Sequence, residues 1–342
     1  MNKNHGRITL DDVLKVAGIV DIPTLAAAMT WPEGNESATC GHLNLGQLNA
    51  LAVKISHAGG EGAIEAFLSD DLMLTLDDPA RAILREKLKP LFDSNAWRIK
   101  PSFVRAKVTE PNKDFYLEKV DANHGELLAR LSEYYPAGTH FLPEKEFIER
   151  ILVLTDRIQK DTRVANILRG PYFPICLPQW DGEDYGKTLD EKFIVSVAKS
   201  YSAQFPKRPF NNYCKGELEK QVAVVDESHR QLCELLRKGP VPGILVYPLQ
   251  GYSVHAQREQ MRGLPDFVSL GGGFDVATAN VGYPQVLLRD FHTPGQDMSA
   301  LQWQSQECSL SVKANDDDAS FDCEGFLGRA YAGFSGALFF RG

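Results

Sequence analysis

The sequence predicts an α+β (mixed) protein: a helical N-terminal domain, residues 1–95, followed by a larger domain, residues 96–342, with a modest mixed sheet flanked by helices. Three observations carry this. From Thr9 to about Phe92 the apolar residues recur in short stripes at helical spacing. Leu218, Val222, Val225, His229, Leu232 and Leu236 then step by four, three, four, three and four, which predicts one amphipathic helix over Glu217–Lys238. Gly239, Pro240 and Pro242 stop it, and the apolar run Ile244–Tyr247 follows as a buried strand. A chain of 342 residues at 43% hydrophobic can bury a sizeable core and divides naturally in two.

Taken in order, Leu10, Val13 and Val16 mark a first short helix, and Leu45, Leu48, Ala52 and Ile55 a second, with Asn44 as its cap. Asp78 and Pro79 suit the cap and first position of a third, with Ile83, Leu84, Leu88 and Leu91 on its buried face. Residues 93–111 change character, and the charged Arg98, Lys100, Arg105 and Lys107 read as the wet face of an edge strand. Helices follow near Ala122–Tyr134 and Pro143–Lys160, then a proline-bracketed edge strand near Tyr172–Leu177. The helix-turn-strand passage ending at Gln179 is echoed at Gln250, an apparent duplication or chance reuse of the same stop signals. Beyond Tyr252 the expectations are a helix over Ser253–Arg262 capped by Ser253, a strand over Val286–Leu288, and a half-buried strand through Cys308, Leu310, Val312 and Ala314. An acidic turn at Asn315–Asp318 and a terminal hairpin over Phe326–Phe340 complete the reading.

A net charge of -8 opposes general attraction to nucleic acid, and no run reaches the roughly 18 apolar residues needed to cross a bilayer. The polar N-terminus lacks a signal-peptide core, so the expectation is a cytoplasmic protein. Its six cysteines form no Cys-x-x-Cys pair and read as reduced thiols, with Cys176 and Cys233 in the core.

The sharpest motif is Gly182-Glu183-Asp184-Tyr185-Gly186-Lys187-Thr188, with Val222-Ala223-Val224-Val225-Asp226-Glu227-Ser228-His229 downstream. The first resembles the phosphate-binding loop of P-loop NTPases and the second the acidic box of DExH-type ATPases. The resemblance implies Lys187 and Thr188 on phosphate and magnesium, Asp226 organising the metal and Glu227 positioning water. Three residues separate the glycines where that family has four. Read locally, Thr188 and Glu191 instead make a capping box, the preferred reading, and a helix would bury His229 while sending Asp226 to another face. Gly271-Gly272-Gly273 reads as a turn, with Asp275 as the cap of a short helix to Asn280. In an extended Val286–His292, Asp290 and His292 share one face, as a carboxylate-oriented imidazole or metal pair requires, and His255 with Asp266 could complete a site. A simple hydrogen-bonded Asp-His pair is the preferred reading. Cys308 or Cys323 could serve His292 as nucleophile, although alternation puts Cys308 on the apolar face.

The expected function is binding or protein interaction without catalysis, through the face holding Gly271 to His292, toward another protein or a small ligand. The alternatives are a P-loop-like nucleotide hydrolase, or a hydrolase or metal site around Asp290, His292 and His255. The residues specify neither a cofactor nor an oligomeric state.

Overall fold

The computed structural model describes residues 89–304 and 308–342. The chain forms two compact units: Met1–Leu91 with Arg157–Asn166, and Phe92–Asp156 with Ile167–Gly342. The three helices expected before Leu91 lie outside the described residues. In the described part of the first unit, Asp161 pairs with Arg163 and accepts its amide at 3.1 Å, while the Leu91 amide donates to Arg163 O at 2.7 Å.

The second unit is mixed α+β, as predicted. Helix α1 (His124–Tyr134) begins at Asn123, whose side chain accepts from the Gly125 and Glu126 amides. Helix α2 (Glu144–Lys160) buries Phe147, Ile151, Leu154 and Ile158, the predicted stripe. A 3-10 turn, Ala165–Arg169, leads into β1 (Phe173–Leu177), and α5 (Glu227–Lys238) leads into β4 (Val241–Gln250). The two echoed passages thus deliver neighbouring strands: β1 and β4 pair antiparallel, from Phe173↔Leu245 to Leu177↔Val241.

The main sheet runs β1-β4-β10-β6-β8-β9-β2, with β5 (Val268–Leu270) also on β10. Here β2 is Phe210–Asn212, β6 Gly295–Asp297, β8 Cys308–Ala314, β9 Ala319–Gly325 and β10 Phe334–Arg341. Most pairings are antiparallel; β10 with β6 and β2 with β9 are parallel. A separate ribbon joins β3 (Val222–Val224) to β7 (Leu301–Trp303).

Against β1 lies α7 (Gly273–Gly282), every residue of which is buried. Its sequence, Gly-Phe-Asp-Val-Ala-Thr-Ala-Asn-Val-Gly, is apolar around most of its circumference, the pattern of a helix enclosed on all sides. Its Phe274 ring is stacked between Tyr185 at 4.0 Å and Phe193 at 4.2 Å. Both rings come from one helical passage: α3 (Tyr185–Thr188), a π-helical stretch Leu189–Ile194, and α4 (Val195–Gln204).

Several expectations are corrected. The heptad-like stripe is not one helix over Glu217–Lys238: Leu218 is buried in a turn, Val222–Val224 is strand β3, and only Glu227–Lys238 is helical. Spacing alone could not distinguish this, because the non-helical half finds its apolar partners far away in sequence, Val222 opposite Trp303. Val286 and Leu287 belong to a helical turn, α8 (Pro284–Leu287), rather than a strand, and Phe334–Arg341 is one long strand rather than a hairpin. Arg98 is buried, donating to Gln260 Oε1 at 3.0 Å over the Phe92 ring, not on a wet edge. Helix α6 (Val254–Gln260) starts as predicted, Ser253 Oγ accepting from the Ala256 amide.

Candidate functional site

The region between Gly182 and Thr188 folds by ordinary capping chemistry. Asp184 Oδ1 accepts from the Lys187 amide at 2.7 Å and the Lys220 amide at 3.0 Å, so a carboxylate already occupies the end of the helix. Thr188 lies inside the helical passage with no capping bond, so the predicted Thr188–Glu191 box is replaced by Asp184 one turn earlier. Its hydroxyl accepts instead from Trp180 Nε1 at 3.3 Å. Gly186 is required by close packing: a Cβ there would sit 1.9 Å from Leu218 O. Asp226 is the N-cap of α5, its carboxylate accepting from the Ser228 and His229 amides and the Ser228 hydroxyl. Glu227 faces outward in an ion pair with Arg230. Lys187, Thr188 and Asp226 are thus held by three local arrangements, and Asp226 stands before a helix rather than at the tip of a strand in the main sheet.

What the glycine-rich motif does supply is Tyr185. Its hydroxyl is 3.0 Å from His229 Nε2 and accepts from the Gly273 and Phe274 amides at 3.0 and 3.3 Å, the first donors of α7. His229 is wholly buried, as expected, and its Nδ1 lies 3.0 Å from Leu270 O. A carbonyl only accepts, so Nδ1 carries the proton. Nε2 accepts from Tyr185 when the ring is neutral and donates to it when charged. Burial opposes a charge on this ring, but the Cys233 sulfur one turn along α5, the Asp275 carboxyl and the Leu270 carbonyl outweigh it and raise the pKa to about 9. Asp275 is not the cap residue itself; it sits at the third helical position and accepts the Gly272 amide at 2.8 Å. Burial drives its carboxyl upward in pKa, and its Oδ2 has no partner. Gly272 has no room for a side chain, since a Cβ would lie 2.4 Å from the His229 ring. This cluster is sealed, and it ties α3, α5 and α7 together.

The face expected to make contacts is therefore interior from Gly271 to Pro284, and it reaches the surface at Gln285 and at its end, Arg289 to His292. There the chain turns rather than extends. The Asp290 carboxylate accepts the His292 amide at 2.9 Å and Arg289 Nε at 2.8 Å, and His292 Nδ1 is 3.0 Å from Asp114 O. Burial raises the Asp290 pKa, but the hydrogen bond and charge of Arg289 prevail and hold it below the usual carboxylate range. Asp290 and His292 are joined, through a backbone amide rather than through the imidazole. His255 lies elsewhere, at the start of α6, where its amide donates to Leu327 O at 3.2 Å and its ring sits beside Gly328. Among the described residues no group of three or more His, Cys, Asp or Glu side chains is arranged to hold a metal ion.

Beside this turn lies a feature the sequence did not reveal, an apolar pocket of about 190 Å³. Val246, Tyr247 and Pro248 of β4 form one side, and Ala96, Trp97, Tyr116 and Ile167 are among the residues closing it. Its walls follow from local chemistry. Asp93 Oδ1 accepts the Asn95 and Trp97 amides, both at 2.9 Å, curling the chain so that Ala96 takes a φ of 66°. That left-handed conformation costs a non-glycine residue roughly 1–2 kcal/mol. Gly170 accommodates it, because a Cβ there would approach the Ala96 methyl to 2.7 Å. Tyr247 buries its hydroxyl on Gln296 Oε1 at 2.6 Å, which leaves its ring to the pocket. Tyr116 is half exposed, its amide donates to His292 O, and the Arg289 guanidinium lies 4.6 Å from its ring centre. Arg289 also reaches Glu118 at 2.8 Å, while its Nη2 has no partner.

No family model, curated protein or solved structure matches this chain. The geometry alone bears on function. Among the described residues no helix is long and apolar enough to cross a membrane.

Proposed function

We propose that this is a binding protein whose second unit seats one ring-sized apolar group, presented by a partner's side chain, in the pocket beside Tyr116. The observation that carries the reading is the pocket's match between size and lining. A volume of about 190 Å³ walled by Trp97, Tyr116, Ile167, Val246 and Pro248 suits a single aromatic or branched aliphatic group. An apolar cavity of roughly 150 Å³ already holds benzene. Anchoring one such side chain in a pocket with a polar rim is how many interfaces concentrate their affinity. Asn95 and Gln250 supply polar groups in the lining, and the Arg289 guanidinium covers the Tyr116 ring. The left-handed Ala96 supports the same reading, because backbone strain of this kind collects where a particular shape is needed.

The test is a heteronuclear NMR titration of the full chain with N-acetyltryptophan amide and N-acetylleucine amide. Leu117 also lines the cavity, and saturable shifts confined to Trp97, Tyr116 and β4, lost when Leu117→Trp fills it, are expected. Absence of saturable shifts, or shifts unaffected by Leu117→Trp in a folded variant, would refute the reading.

A further inference from the structure

One polar atom in the pocket plays no part in holding the pocket together. Strand β4 reaches the cavity with Val246, Tyr247, Pro248 and Gln250. Consecutive residues of a regular strand face opposite ways. Here Val246 pairs with Leu338 and Leu249 with Gly336, so Tyr247 and Pro248 stand opposite the single Ala337, a bulge that re-aims the side chains around it. Gln250 follows the bulge and is buried. Its Nε2 donates to Ala332 O at 2.8 Å and Asn112 O at 2.9 Å, with Phe115 O at 3.4 Å. Carbonyls only accept, so these three fix which end of the side-chain amide is nitrogen. They also fasten the segment that brings Tyr116 and Leu117 to the wall. Oε1, at the other end of that amide, accepts no hydrogen bond among the described residues, and it is not one of the buried polar atoms sealed without a partner. Gln250 lines the cavity, so this oxygen is an acceptor exposed there.

We infer that the ring seated in this pocket carries its own hydrogen-bond donor, as the phenol of tyrosine or the indole of tryptophan does, and gives it to Gln250 Oε1. Such a preference rests on the pocket reading and sharpens it from ring size to ring chemistry. Any ring that enters strips water from Oε1. A phenyl or leucine side chain offers nothing in exchange and leaves a desolvated acceptor unpaired. An N–H or O–H at the ring's edge replaces the lost bond while the remainder of the ring still meets Trp97, Tyr116, Ile167 and Val246.

The lining also provides for the chain that bears the ring. Trp97 is half-buried, and its indole N–H bonds to nothing among the described residues and is likewise not sealed. The side chain of Asn95 is exposed and has no partner among the described residues. Both groups donate, and a peptide that enters ring-first brings backbone carbonyls to accept from them.

The experiment titrates the full chain with two matched pairs of amides and follows the NMR signals of Trp97, Tyr116, β4 and the Gln250 side chain. N-acetyltyrosine amide is set against N-acetylphenylalanine amide. N-acetyltryptophan amide is set against its benzothiophene analogue, which keeps the bicyclic shape and replaces the N–H by sulfur. A purely apolar pocket with Gln250 idle binds the donorless member of each pair more tightly. With Oε1 engaged the order reverses: the donor member binds roughly tenfold tighter, the difference that one paired acceptor makes. It alone moves the Gln250 side-chain carbonyl carbon, and Leu117→Trp, which fills the cavity, abolishes binding of both members. Saturable binding in the pocket with equal or opposite affinities in either pair overturns the inference and leaves the pocket reading standing. A ranking retained in folded Leu117→Trp, or a Gln250 signal that moves equally with both members, also overturns it. No saturable binding by any of the four compounds overturns the pocket reading and this inference with it.

Discussion

Replacing Tyr185 by Phe removes one oxygen from the centre of the second unit and leaves the ring that stacks on Phe274. That oxygen serves three partners: His229 Nε2 at 3.0 Å, the Gly273 amide at 3.0 Å and the Phe274 amide at 3.3 Å. All three residues are buried, so water cannot take its place. A buried donor or acceptor left unpaired costs about 1–3 kcal/mol. The two amides share one acceptor and the longer bond is weak, so the sum is set at about 3 kcal/mol rather than three full penalties. The same chemical change at Tyr201 supplies the control. Its hydroxyl is also buried but has no partner, so Tyr201→Phe loses no bond and sheds a desolvated group. It should leave stability within about 0.5 kcal/mol of wild type or raise it. Urea unfolding followed by tryptophan fluorescence reads both, with the denaturant slope checked for constancy. If Tyr185→Phe unfolds within about 0.5 kcal/mol of Tyr201→Phe, the hydroxyl does not hold the cluster and the reasoning fails.

Other substitutions test the remaining contacts. Gly272→Ala places a methyl 2.4 Å from the immobile His229 ring and should cost about 1–3 kcal/mol by overpacking, read by the same denaturation. Asp226→Ala removes the cap of α5 and should cost about 1 kcal/mol, a loss visible as a lower thermal midpoint; an unchanged midpoint would mean that the carboxylate does not cap. Asp290 has a folded pKa below its unfolded value, so its contribution is complete above the usual carboxylate pKa near 3.8 and is lost as pH falls through the lower folded value. Melting temperature measured from pH 5 to pH 2 should therefore fall less steeply in Asp290→Asn than in the wild-type protein; parallel curves would contradict the Arg289 pairing.

The legible part of the fold was the part decided by near neighbours in sequence. Helices α1 and α2, the existence of the strand from Cys308 to Ala314, and the Ser253 cap each depend on residues within a turn or two of one another; that strand is not half-buried as expected, since Ser309 and Ser311 are buried beside Leu310 and Val312 and Cys308 is only half-buried. The Leu218–Leu236 stripe misled because burial at helical spacing can also be produced by a turn, a short strand and a helix that meet different partners. His229 was correctly read as buried, yet its partners Tyr185 and Leu270 lie 44 and 41 residues away, beyond any spacing rule. In the candidate site, Asp290 and His292 were expected on one face of an extended segment, whereas the chain turns there and the carboxylate meets the His292 backbone amide; neither that turn nor the adjoining pocket was legible.

Composition and local periodicity by themselves determined that this chain mixes helices with a sheet and keeps Cys176, Cys233 and His229 inside. Only the tertiary structure decided that α7 would be enclosed, that Asp184 and Asp226 would cap helices, and that Ala96, Tyr116, Ile167 and Val246 would surround one cavity. The physical reason is that amphipathic spacing records which face a segment hides, while a pocket depends on which distant segments do the hiding.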